Sequence, residues 1–173
     1  MSEANYIHEA FNRGDLETLL LVLDKPPARL NVPYSDAFGD CLEYAIYHSP
    51  LSLIQQLLEL GADPNYPDHA GFPALISVLT TARPDKNQVI ELLLACGTDI
   101  QQRGLNGFTP LHLAASNHDI SATELLLAHG ADPNAITNVD DFTTPLEEAE
   151  SSGNNQVAKI LRMVAEVKSG VQQ

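Results

Sequence analysis

Apolar residues fall along this chain in short runs of helical spacing, not in alternation. The runs "LETLLLVL" from Leu16, "SLIQQLLEL" from Ser52 and "VIELLLACGTDI" from Val89 each lay one apolar stripe along a helix. The later runs of this kind stop at Gly61, Gly97 and Gly130, residues that readily take the left-handed conformation in which helices end. A second set of runs is shorter and richer in small residues, as in "CLEYAI" from Cys41 and "TPLHLAAS" from Thr109. The two sets alternate, which predicts five pairs of short helices. No apolar stretch approaches the roughly 18 residues that a membrane span needs.

The alternation is periodic. Leu111, in the tetrapeptide Thr109-Pro110-Leu111-His112, has equivalents at Ile7, Leu42, Leu75 and Leu146, spaced 35, 33, 36 and 35 residues apart. A sustained period near 33 marks a stacked solenoid. The run "GFTPLHLAASNHDISATELLLAHGADPN", from Gly107 to Asn134, resembles the ankyrin-repeat family nearly position by position. The resemblance extends over about residues 3 to 165. It implies an all-α ankyrin-repeat solenoid of about five stacked helix-turn-helix repeats with finger loops. The expected repeats are about 3–35, 36–68, 69–103, 104–138 and 139–168, with 169–173 a tail and 1–173 a single domain.

The motif has a physical basis. Thr109 can cap the helix start and Pro110 suits its first position. In the family the histidine, here His112 and by register His8, bonds back to the turn of its own or the next repeat. Asp63, Asp99 and Asp132 each follow a helix-ending glycine by two residues and are read as turn residues that bond local backbone N–H groups. Other repeats depart from the pattern. The second has Asp40-Cys41 and Glu43, the third Pro73-Ala74 and Ile76, and the fifth Glu147. The third also carries three extra residues around "TTARPDK" from Thr80. Proline restricts the residue before it to extended geometry, so Arg83 is expected to end the first helix there, with an exposed loop to Lys86.

Charge narrows the function. The net charge of −14, from 23 acids and 9 bases, argues against binding to DNA, RNA or anionic lipid. No Lys or Arg occurs between Gly104 and Ala158, a stretch that holds Asp119, Glu124, Asp132, Asp140, Asp141, Glu147, Glu148 and Glu150. Such a field either is a solvated, repelling surface that only aids solubility or steers a basic partner. Cys41 and Cys96 are too few for a disulfide scaffold and are expected to be reduced core thiols of a cytoplasmic protein. The polar, acidic N-terminus "MSEANYIHEAFNR" carries no expected secretory signal.

The sequence has no glycine-rich phosphate loop, nucleophile elbow or paired-cysteine motif. No catalytic residue, metal site or cofactor is therefore expected. The resemblance implies instead that partners are bound on a concave face made of fingers and first helices. Carried onto this chain, the contact positions are Arg13, Tyr47, His48, His69, Phe72, Leu105, Asn106, Phe108, Asn117, Asp140 and Asp141. Tyr47, His48, Phe72, Leu105 and Phe108 would form an aromatic centre, where interface energy concentrates, unless Phe72 and Phe108 simply pack across finger bases. The expected function is a protein–protein interaction module: an adaptor, inhibitor or assembly chaperone, monomeric on its own, whose partner is another protein with a basic patch. The alternative is an acidic nucleic-acid mimic that blocks a basic cleft.

Overall fold

The structure, a computed structural model, describes residues 3–23, 30–31, 40–65, 72–138 and 142–170. Among the described residues there are ten α-helices and no strand, so the all-α fold is as the pattern predicts. They are α1 (Glu3–Arg13), α2 (Leu16–Leu23), α3 (Cys41–His48), α4 (Leu51–Glu59), α5 (Ala74–Thr80), α6 (Lys86–Ala95), α7 (Pro110–Ser116), α8 (Ile120–Ala128), α9 (Pro145–Ser151) and α10 (Asn155–Gly170).

The chain divides into two compact units, Met1–Thr98 and Asp99–Gln173. In the first, the first helices α1, α3 and α5 pack in a row and the second helices α4 and α6 lie together. In the second, α7 packs on α9 and α8 on α10. The anchors Ile7, Leu42, Leu75 and Leu111 are buried, and Leu146 is half-buried. The second helices close the core with Leu53, Ile54 and Leu57 on α4, Val89, Ile90 and Leu93 on α6, and Ala122 and Leu126 on α8. Each fully buried branched side chain contributes about 1.5–3 kcal/mol.

Helices of 7 to 10 residues are too short to stand alone, so their ends matter. Gly61 lies at φ +98, and the N–H of Ala62 returns to the carbonyl of Leu57 to close α4. At helix starts the caps differ between repeats. Thr144 and Glu147 bond reciprocally at the start of α9. Asp40 replaces the threonine in the second repeat and accepts from the Glu43 N–H at 2.8 Å. Asp63, Asp99 and Asp132 do accept from N–H groups two residues on, at 2.9, 2.9 and 3.0 Å.

Two expectations are corrected. Of the three extra residues, two lie between α5 and α6 and one lengthens α6 relative to α8, and α5 ends at Thr80, not Arg83. The Thr80 and Thr81 hydroxyls donate to the carbonyls of Ser77 and Val78, both at 2.7 Å, and close the helix before proline geometry can act. Nor is Arg83 an exposed loop residue, since its side chain is only 11% exposed. The second correction concerns cysteine. Cys41 is buried, and burial, aided by Asp40, pushes its thiol up to about 12, which keeps it protonated and inert. Cys96, by contrast, is exposed at the end of α6 and is no core thiol.

Candidate partner-binding site

In the first unit, the first helices carry a connected group of rings. His8 on α1 hydrogen-bonds through Nδ1 to the Tyr44 hydroxyl on α3, and through Nε2 to Asn12 at 3.0 Å. The His8 and His48 rings meet edge-on with centroids 5.1 Å apart, and Tyr44 lies 4.5 Å from His48 and 4.7 Å from Phe11. Burial, and then the neighbouring His8, holds His48 below its ordinary value. His8 therefore does not share the role of His112. Its repeat has no Thr-Pro turn to bond, and the ring turns instead to the next first helix.

Tyr47 is 44% exposed, 6.3 Å from the His48 ring, and its hydroxyl lies 2.8 Å from the Thr80 Oγ1 of the next repeat. Arg13 is exposed and pairs with Glu9 one turn back at 2.9 Å. Phe72 is half-buried immediately before Pro73. His69 lies outside the described residues. Behind this face, Arg83 fixes the repeats to one another. Its guanidinium donates to the carbonyls of Ile46 at 2.7 Å and Ser49 at 3.2 Å, at the end of α3, and pairs with Asp85 through both carboxylate oxygens. The last carbonyls of a helix lack partners of their own, and a guanidinium satisfies two at once.

In the second unit, His112 is fully buried. Its Nδ1 accepts from the Thr109 N–H at 3.2 Å and lies 2.8 Å from the Thr109 hydroxyl. The ring proton therefore sits on Nε2, which donates to the Thr143 carbonyl of the next repeat at 3.0 Å. Burial holds this imidazole below its ordinary value, partly offset by the Thr143 carbonyl and Glu148. It is a neutral strut, as the family pattern implies. Phe108 is half-buried against it, with centroids 5.5 Å apart. Asn106 is exposed at φ +60, and its carbonyl accepts from the Asn138 N–H of the next finger at 3.3 Å. Arg103 pins the two fingers by donating to the Gly107 and Ile136 carbonyls at 2.8 and 2.6 Å. Asn117 is exposed at the end of α7. Only the backbone of Leu105 is described, and Asp140 and Asp141 lie outside the described residues.

Of the expected aromatic centre, Tyr47 and His48 adjoin each other in the first unit, Phe72 belongs to the same unit, and Phe108 packs on His112 in the second. The sequence reading missed Tyr44 and His8 as members of the first unit's group of rings. It also missed Asn31, whose amide accepts from the Asp63 N–H at 2.7 Å, although Asn31 stands 34 residues before Asn65. Asn31 also donates to the Gly61 carbonyl at 3.4 Å, and Asn65 repeats that second contact one repeat on by donating to the Gly97 carbonyl at 3.0 Å. The signal was the period itself, hidden because the first repeat lacks the Gly-Ala-Asp ending.

A family model of ankyrin repeats, in three copies, matches residues 79–169. An ankyrin repeat protein of Fowlpox virus is 36% identical over 120 residues, which is 68% of this chain and 34% of that protein. The RelA-associated inhibitor of Mus musculus is 31% identical over 100 residues, 58% of this chain and 12% of that protein. An intracellular phospholipase A2 of Caenorhabditis elegans is 27% identical over 170 residues, 88% of this chain and 16% of that protein. The chain therefore spans about a third of the first of these relatives and less of the others. No helix among the described residues is long and apolar enough to cross a membrane.

Proposed function

The chain belongs to the ankyrin-repeat family, and from that premise we propose that it is a non-catalytic adaptor or inhibitor that binds another protein through its first helices and fingers. Repeats of this family are generally protein–protein interaction modules. The observation that carries the reading is Tyr47. It is a large aromatic residue, 44% exposed, held in place by its own hydroxyl and by the next repeat. A ring fixed in this way loses little entropy on binding and suits an interface anchor. His48 and Phe72 extend the surface in the first unit, and Phe108, Asn106 and Asn117 serve the second. The excess of acids between Gly104 and Ala158, of which Glu150 pairs with Arg162, favours a partner with a basic patch.

Affinity capture from the native host, followed by kinetics with the purified partner, tests this. Tyr47→Ala or Phe108→Ala speeds dissociation by an amount corresponding to about 1–2 kcal/mol. Replacing Asp140 and Asp141 together by Lys slows association several-fold and changes dissociation less. A partner whose association ignores both salt and the Lys pair removes the steering role of the acids. A captured nucleic-acid enzyme displaced by its own nucleic acid would favour the mimic instead.

A further inference from the structure

The stacking of α1 on α3 brings His8 and His48 together, with their rings edge-on and centroids 5.1 Å apart. Ile7, Ala10 and Phe11 on the same helix as His8 are buried. His8 therefore stands in the seam by which the first repeat docks on the second. Its hydrogen bonds fix its charge state. The Asn12 amide nitrogen can only donate, so the His8 Nε2 that receives it carries a lone pair. The proton then sits on Nδ1 and goes to the Tyr44 hydroxyl. This bonding pattern belongs to a neutral imidazole.

His48 is the last residue of α3. A helix C-terminus ordinarily favours an imidazolium. Here the Arg83 guanidinium already takes the Ile46 and Ser49 carbonyls, and it brings its own positive charge, paired with Asp85. The other ionisable groups of the neighbouring elements are engaged elsewhere, exposed or neutral. On α1, Glu9 pairs with Arg13 and Tyr6 is exposed. In the turn that follows, Asp15 is bonded to Thr18, and Glu17 of α2 is exposed. On α3, Glu43 accepts from the Ser77 hydroxyl at 3.4 Å and the Tyr47 hydroxyl lies against Thr80. Burial pushes the Tyr44 phenol and the Cys41 thiol up, so both stay protonated. Helix α4 carries Glu59 at its far end, and α5 has no ionisable side chain. Burial, and then His8, holds His48 below its ordinary 6.5. Folded His48 therefore resists a proton that the unfolded chain accepts. Its contribution is full above pH 6.5 and is lost as pH falls through the lower folded value.

We propose that His8 and His48 form a pH latch between the first and second repeats, closed while both rings are neutral and released in mild acid, when their charges repel and α1 leaves α3. Release parts α1 from Tyr47 and His48 and so takes apart the first unit's share of the candidate surface. That consequence rests on the protein-binding reading above; the latch itself does not.

Amide hydrogen exchange of the full chain, read by mass spectrometry and corrected for intrinsic rates, tests the latch at about pH 7.5 and about pH 5.5, either side of the ordinary imidazole value. On acidification the wild type loses protection at Ile7 to Phe11 by at least about fourfold, the factor by which two unit charges ~5 Å apart repel even in bulk water. Helix α6, which lies in the same unit and holds no histidine, keeps its protection. His48→Phe keeps a ring in the seam without the titration, and His48→Gln removes the ring as well. In both variants α1 loses the pH dependence, whatever its protection at neutral pH. Equal protection of Ile7 to Phe11 at the two pH values in the wild type overturns the latch, as does the same acid loss in His48→Phe. A parallel loss in α6 would mean that the whole unit unfolds in acid, and overturns it too. None of these readouts needs a partner, so the latch stands or falls apart from the protein-binding reading.

Discussion

The two units tie their first helices to a neighbouring repeat with different side chains, while Arg103 ties fingers in the second. In the first, Arg83 reaches back from the α5–α6 loop to two carbonyls at the end of α3. In the second, His112 reaches forward from the start of α7 to the Thr143 carbonyl. Both satisfy backbone groups in a neighbouring repeat. The guanidinium stays charged at any accessible pH, whereas the imidazole does its work neutral. The repeat that best fits the family pattern therefore carries an acid-sensitive joint, and the repeat that departs from it carries a joint whose own cation does not titrate. Departure from the pattern in the third repeat is a replacement of one joint by another, built on the inserted residues.

The largest effect expected from this contrast is at Arg83. Arg83→Ala strands two helix-end carbonyls and unpairs Asp85, and lowers the unfolding free energy by about 2–4 kcal/mol in a denaturant titration. Arg83→Lys, which keeps the charge and loses the fork, recovers only part. A loss within about 0.5 kcal/mol of zero would mean that the clamp is ornamental.

His112→Ala follows, at about 2–3 kcal/mol at neutral pH, and its pH dependence sharpens the comparison. Burial holds the folded pKa below the ordinary 6.5, so the folded state resists a proton that the unfolded chain accepts. The contribution of His112 is full above pH 6.5 and is lost as pH falls through the folded value. The gap between wild type and His112→Ala thus narrows in acid, while the gap between wild type and Arg83→Ala does not change over the same window near pH 6. The equivalent cap in the fifth repeat behaves differently. The Thr144 backbone N–H and hydroxyl hold Glu147 below its ordinary 4.5, so its contribution is full above that pH and lost only as pH falls through the lower folded value. Glu147→Gln removes that late acid transition without touching the earlier one.

The smallest effect is at His118. Its backbone lies at φ +60 and its imidazole lies 3.1 Å from the Ser152 carbonyl of the next repeat; replacing it with Gly relieves the positive φ and removes that bond, and the two changes cancel to within about 0.5 kcal/mol in a thermal melt.

The fold was legible because its signal is repeated. The anchors from Ile7 to Leu111 are buried, the helix-ending glycines lie at positive φ, and the three Asp turns close as their spacing required. What could not be read has one-off causes. Arg83 meets Ile46 and Ser49 across 37 and 34 residues, and nothing local to it announces that partner. Tyr44 stands two residues past its anchor, where a ring reads as core until His8 is found beside it. Of the candidate contact residues, the structure describes Arg13, Tyr47, His48, Phe72, Asn106, Phe108 and Asn117, together with the backbone of Leu105, and His69, Asp140 and Asp141 lie outside the described residues.

The central claim, that the first helices and fingers bind a protein, is tested most directly by site-specific photo-crosslinking in the native host. A crosslinking amino acid is placed singly at Tyr47, Phe108 or Asn117, and for comparison at the exposed Glu91 of α6 and Glu124 of α8 on the second helices. The account predicts that the first three positions trap one and the same protein and that the two second-helix positions do not. Equal trapping from Glu91 and Glu124, with none from Tyr47 or Phe108, would contradict it.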